Sequence, residues 1–189
     1  LRELPIDAVT ASVLAVRGFH DPRRARGFLF PTLGDLRSPM ALQDMPPAVE
    51  RIARALERRE RILVFGDYDV DGITATALLQ EFLTQAGAAV ETYIPHRQEE
   101  GYGLQAHHVE GVLAPRGVQL VITADCGMSS HAAVKAARER GIDVVITDHH
   151  NVPAELPPAI AVINPRRSDS PAGLAHLAGA GTAFSLHIA

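Results

Sequence analysis

The stretch Ile62-Leu63-Val64-Phe65-Gly66-Asp67-Tyr68-Asp69-Val70-Asp71-Gly72-Ile73-Thr74-Ala75-Thr76-Ala77 decides how this chain is read. Its first four residues form a short continuous apolar run, the pattern of a strand buried on both faces of a parallel sheet. The chain then turns at Gly66 and sets an aspartate at every second position: Asp67, Asp69 and Asp71. Beyond Gly72, Ala75, Leu78, Leu79 and Phe82 recur with helical spacing. Three carboxylates therefore stand on a strand-to-helix connection, at the carboxyl end of a strand, where open α/β sheets bind their ligands. Carboxylates this close repel one another unless positive charge lies nearby. Hard divalent cations take oxygen ligands, so Mg²⁺ or Mn²⁺ would relieve the repulsion. The alternative is a solvated acidic loop that caps the helix, with Asp71 favoured by the helix dipole. Capping accounts for one aspartate more readily than for three.

Downstream of this stretch, strands and helices alternate. After a first strand at Ile62–Phe65 and a crossover helix at Ile73–Ala86, strands are expected at Ala89–Ile94, Val118–Thr123, Asp143–Thr147 and Ala159–Ile163. Helical patterns fall at Leu104–Leu113 and Ser130–Gly141, and a last helix starts near Thr182. This alternation predicts an α/β fold with a doubly wound, mostly parallel five-stranded sheet flanked by helices. Upstream, residues 1–60 read as an N-terminal helical extension to a domain spanning 61–189. Asp21-Pro22 is a cap followed by proline at the first helical position. Residues 31–46 are proline-rich loop, and a helix resumes at Ala48. Arginines 51, 54, 58, 59 and 61 are read as its solvated face, with a phosphate-contacting patch as the alternative.

Size and composition fit a soluble globular protein: 189 residues, 47% apolar and 21% charged. No stretch approaches the length of a membrane span, and the start carries no signal-peptide pattern. The lone Cys126 excludes an internal disulfide and suits a reducing cytoplasm. The net charge of -4 gives no global sign of a nucleic-acid partner, but a metal-loaded site would be less negative than that count implies. The chain begins without Met and ends in a helical pattern with no stop signal, so it is read as a piece of a longer protein.

Chemistry collects at three strand ends. The first supplies Asp67, Asp69 and Asp71, the third supplies Asp125, and the fourth supplies Asp148, His149 and His150. In a parallel sheet these ends share one edge. A carboxylate-rich set with one or two imidazoles suits Mn²⁺ or Mg²⁺ better than structural zinc. Two such ions, about 3.5–4 Å apart, would hold a phosphate and support in-line attack by hydroxide. Asp125 alone also reads as a turn residue and either histidine alone as a satisfied polar group, while Cys126, as a thiol nucleophile, has no flanking base or cationic group to argue for it. The combination is more specific than any member.

Four motifs resemble, in order, those of the DHH phosphoesterase superfamily. They are Gly66–Gly72, Ala124-Asp125-Cys126-Gly127, Asp148-His149-His150 and Leu177–Phe184. Together with Arg97-Gln98-Glu99-Glu100-Gly101-Tyr102-Gly103-Leu104, they resemble its RecJ-like branch of single-strand-specific 5′-to-3′ DNA exonucleases. The resemblance covers residues 61–189 and fits 1–60 loosely. It implies Asp69 and Asp71 as metal ligands with Asp67 close by, Asp125 as a bridging ligand and His149 as a ligand. Asp148 and His150 would stand behind the ligands or at the scissile phosphate. It implies one or two ions, Mn²⁺ favoured, and hydrolysis of single-stranded DNA in recombination and repair, beside a single-stranded-DNA-binding protein and a helicase. A further aspartate ligand, a second phosphoesterase domain and an OB-fold are expected beyond residue 189. Gly179-Ala180-Gly181 ahead of a helix could hold a phosphate oxygen through its N–H groups, or simply allow tight packing. Arg97 is read as a phosphate contact or a salt bridge to Glu99 or Glu100, and Tyr102 as a base-stacking or a packed ring. A monomer is expected. The alternatives are a sibling diesterase acting on short oligonucleotides or cyclic dinucleotides, and a non-catalytic replication or repair scaffold.

Overall fold

The computed structural model describes residues 1, 3–170 and 173–189. It divides into two compact units, Leu1–Ser38 and Pro39–Ala189. The first unit holds α1 (Ala8–Val16) and α2 (Pro22–Leu29). Asp7 caps α1 by accepting from Thr10 N at 2.9 Å, and Asp21 caps α2 ahead of Pro22. Leu4, Leu14 and Ala25 form its small core, while Val9, Val13, Val16 and Phe28 stay exposed. Two helices of nine and eight residues bury little more than a seam.

The second unit begins with α3 (Met45–Arg58). The helix starts earlier than the prolines suggested, because Pro46 and Pro47 occupy its first turn, where no N–H is needed. Met45, Ala48, Ile52 and Ala55 of α3 join the core beneath the sheet. By compactness, α3 therefore belongs to the same unit as the sheet, a unit that begins at Pro39. Arg51, expected on a solvated face, is buried; its Nη2 donates to Glu60 at 2.6 Å and its Nε to Asp143 at 2.5 Å.

The sheet comprises β1 (Arg61–Gly66), β2 (Ala89–Tyr93), β3 (Leu120–Ala124), β4 (Asp143–Thr147) and β5 (Ala161–Ile163). All pairings are parallel, in the order β2-β1-β3-β4-β5. Alternation along β1 sends Ile62 and Val64 to one core and Leu63 and Phe65 to the other. The first core packs α3, α4 (Val70–Gln85) and α7 (Gly179–His187) on one face. The second packs α6 (His131–Glu139) and α5 (Ala106–His108, running into a π-turn over Val109–Leu113) on the other. The strand order reverses between β1 and β3, so the crevice at the top of the sheet opens there. Among the described residues, no helix is long and apolar enough to cross a membrane.

A candidate metal centre at the strand ends

Register brings the site together. Gly66 pairs with Ala124, Ala124 with Thr147, and Thr147 with Ile163. The next residue of each strand is thus Asp67, Asp125, Asp148 and Asn164, and all four are buried. Their N–H groups continue the ladder for one step. Asp67 N donates to Ala124 O (3.1 Å), Asp125 N to Thr147 O (3.0 Å) and Asp148 N to Ile163 O (3.1 Å). Backbone pairing, rather than loop geometry, fixes this row of polar side chains.

The helices complete the set. Asp69 is the N-cap of α4, its Oδ1 accepting from Asp71 N (2.9 Å) and Gly72 N (3.0 Å). The helix thus starts at Val70, one turn before the expected Ile73, and Asp71 lies in its first turn. Asp71 in turn accepts from Gly179 N (2.7 Å) and Ala180 N (2.8 Å). Helix α7 begins at Gly179, not Thr182, and has no side-chain cap of its own, so Asp71 satisfies its leading donors. The Gly179 and Ala180 N–H groups are therefore turned on a carboxylate of the protein. Gly179 also lies against Asp125: a Cβ there would collide with that carboxylate.

Asp125 is the centre of the cluster. Its backbone is left-handed (φ 63°), a conformation that aspartate tolerates better than most residues. It is 1% exposed, and neither carboxylate oxygen has a hydrogen-bond partner. His149 Nε2 stands 3.1 Å from Asp125 Oδ1 without hydrogen-bond geometry, and 3.4 Å from Asp71 Oδ2. Donor atoms from Asp67, Asp69 and Asp125 lie within 4.8 Å of one another, as do donor atoms from Asp125, His149 and His150. Burial, reinforced by Asp71, pushes Asp125 up to about 7. Burial also raises Asp67, against the hydrogen bond from Tyr68 N–H. A buried carboxylate with both oxygens unpaired is costly in the bare chain. The oxygen-rich donor set, with His149 at its edge, fits a hard divalent cation such as Mn²⁺ or Mg²⁺. Asp71 remains a competent ligand, since each carboxylate oxygen has a second lone pair.

Asp148 does not face the cluster as a free ligand. Its Oδ1 accepts from His149 N (2.7 Å), His150 N (3.0 Å) and His150 Nδ1 (2.7 Å), and its Oδ2 from Met128 N (2.9 Å). Burial opposes its ionisation, but these bonds bring its pKa below the usual carboxylate value. The same bond from Asp148 raises His150 and puts the proton on Nδ1. Tyr102 reaches over, its hydroxyl 3.1 Å from His150 Nδ1 and donating to Asp125 O at 3.4 Å. Arg97 lies over the Tyr68 ring at 5.0 Å, and makes no ion pair with Glu99 or Glu100. Glu100 is engaged elsewhere, accepting from Tyr93 OH (2.6 Å) and His96 N (2.7 Å) and pairing with buried His108 at 3.0 Å. Cys126 is buried and burial holds its thiol well above the ordinary range, so it is no nucleophile.

Asn164 escaped the sequence reading. Its Nδ2 donates to His150 O at 2.9 Å, tying β5 to the histidine turn. The available signal was its place one residue past an apolar run, the place that Asp67, Asp125 and Asp148 hold on their strands.

Residues 61–188 match the model of the DHH family, N-terminal domain. The chain is 38% identical over 184 residues to the single-stranded-DNA-specific exonuclease RecJ of Bacillus subtilis (strain 168), covering 97% of this chain and 23% of the relative. A crystal structure of exonuclease RecJ bound to manganese superposes with a TM-score of 0.71 at 38% identity, over 77% of this chain and 37% of that one. The structure of RecJ in complex with Mn²⁺ from Thermus thermophilus gives 0.71 at 32% identity, over 92% of this chain and 23% of that one. The chain thus spans about a quarter of the length of the curated relative. Motifs, sheet topology and family model agree over the same residues, and the chain belongs to the DHH family.

Proposed function

We propose that this chain carries the metal-dependent phosphodiesterase centre of a nuclease that degrades single-stranded DNA from the 5′ end. The observation behind this reading is Asp125: a buried carboxylate, unpaired on both oxygens, ringed by Asp67, Asp69, Asp71 and His149. Those five residues would hold one or two ions, Mn²⁺ or Mg²⁺, each of which is present in a structure of a RecJ relative. A divalent ion held there would supply positive charge to a phosphate oxygen and lower the pKa of water, the chemistry of metal-assisted ester hydrolysis. The chain's own residues do the rest. Asp148 fixes the tautomer and direction of His150, whose raised pKa favours an imidazolium beside the scissile phosphate. Arg97, held over Tyr68, offers a bidentate contact to a phosphate of the strand, and the Tyr102 ring offers a face for a base. The Gly179–Gly181 turn serves by holding Asp71 and leaving room for Asp125. Single-strand preference and 5′ polarity are supported by the likeness to the RecJ exonucleases. On this reading the protein acts in the cytoplasm as a monomer, in DNA recombination and repair, beside a single-stranded-DNA-binding protein and a helicase.

The test uses the intact protein and single-stranded DNA labelled at either end, with Mn²⁺, Mg²⁺ or chelator. Metal-dependent release of mononucleotides from the 5′ end, with duplex spared, is the expected result. Cleavage confined to dinucleotides or cyclic dinucleotides would move the substrate to a sibling activity. No hydrolysis with either metal would overturn the reading.

A further inference from the structure

A cavity of about 620 Å³ opens beside the carboxylate cluster and shares Tyr102, Asp148 and His150 with it. Met128, Asn151 and Arg166 are among the residues that complete its lining. The volume is within the range of sites that take small organic ligands.

Arg166 and its neighbour Arg167 have opposite environments. Arg167 is buried and bound to Asp44 at 2.7 Å and Asp169 at 2.8 Å. Arg166 is exposed and has no carboxylate partner among the described residues; its Nη1 reaches Asn151 Oδ1 at 3.5 Å. The turn that carries it is nevertheless fixed. Buried Asn164 accepts from Arg166 N at 2.8 Å and donates to His150 O at 2.9 Å, so one side chain sets the cation-bearing turn against the histidine turn. An arginine at the border of a carboxylate-rich site, paired with none of its carboxylates, is available to an external anion.

The sheet order gives that anion a direction. Arg97 follows β2 and Arg166 follows β5, the two edge strands, while the carboxylate cluster follows β1, β3 and β4 between them. The edges are four strand spacings apart, about 19 Å. A polyanion lying along the carboxyl edge of the sheet would meet a cation, the cluster and a second cation in turn. Resting on the reading of the site as one for single-stranded DNA, we infer that Arg166 binds the phosphate next to the one at the cluster, and that the cavity receives the nucleoside between them.

The test compares wild type, Arg166→Ala and Arg166→Lys in the intact protein with Mn²⁺, on a single-stranded oligonucleotide at several salt concentrations. Arg166→Ala should raise KM about tenfold, with the loss in KM rather than kcat. The dependence of log KM on log salt should become shallower by about 0.7, the share of one phosphate contact on a single strand. Arg166→Lys should recover most of the KM. An unchanged KM and salt slope, or a loss confined to kcat, overturns the inference while leaving the nuclease reading intact. A wild-type protein that cleaves no single strand, yet binds Mn²⁺, fails the nuclease reading and this inference with it.

Discussion

Asp125 combines a left-handed backbone, near-complete burial and two unpaired carboxylate oxygens in one residue. In the metal-free protein its carboxyl keeps a proton up to about pH 7, against a value of 3.8 in an ordinary aspartate. Between those limits the folded chain binds more protons than the unfolded one, so stability falls as pH rises through that window. Asp125→Asn should remove this dependence. In chelator at pH 8 the variant should be more stable than wild type, by a few kcal/mol at most, since each pKa unit is about 1.4 kcal/mol. At pH 4 the difference should vanish. Urea unfolding at the two pH values measures both, and a variant less stable at pH 8 would show that the carboxylate is satisfied in the bare chain. Activity should respond in the opposite sense. Asp69→Ala and Asp125→Ala should each cut hydrolysis of single-stranded DNA by at least about a hundredfold, the upper range for groups that merely support a ligand. Wild-type turnover in either folded variant would sink the assignment.

At the scale of elements, the site is a product of register and of two helix starts. Strands β1, β3 and β4 were legible because each is an apolar run ending in a polar residue, and parallel pairing then aligns the ends. The starts of α4 and α7 were not. Gly72 and Gly179 look like helix breakers in the sequence, but both are buried inside first turns because neighbours come too close for a side chain. Whether Gly-Ala-Gly serves a phosphate or a carboxylate depends on Asp71, more than a hundred residues earlier. Gly179→Ala should therefore displace Asp125, weaken Mn²⁺ binding at least about tenfold and cost roughly 1–3 kcal/mol, while helix content by circular dichroism stays put. Unaltered Mn²⁺ affinity in that variant would mean that the close approach has no bearing on the metal. Helix α3 makes a separate case. Arg51→Ala leaves Glu60 and Asp143 unpaired, and should destabilise by roughly 3 kcal/mol in urea with Mn²⁺ affinity retained.

Across the whole molecule, alternation of apolar runs and helical patterns was enough to yield the five-stranded parallel sheet, since its central strands are buried on both faces and read as mostly apolar runs. The convergence of these side chains was legible for a related reason, because strand ends on one edge of a parallel sheet come together. What stayed hidden depends on pairs far apart in the chain: Arg51 with Asp143, Asn164 with the histidine turn, and Arg167 with Asp44, which leaves Arg166 as the one of the two without a carboxylate among the described residues. Local pattern cannot say which member of an arginine pair is locked and which faces a cavity. That the row of strand ends is a metal centre can be read out by calorimetric titration of Mn²⁺ into the intact protein and into Asp125→Asn at pH 8. Wild type should bind, and the variant, though at least as stable without metal, should lose at least about tenfold in affinity. Equal Mn²⁺ affinity in the two proteins would mean that the buried, unpaired carboxylate of Asp125 is not there for a metal.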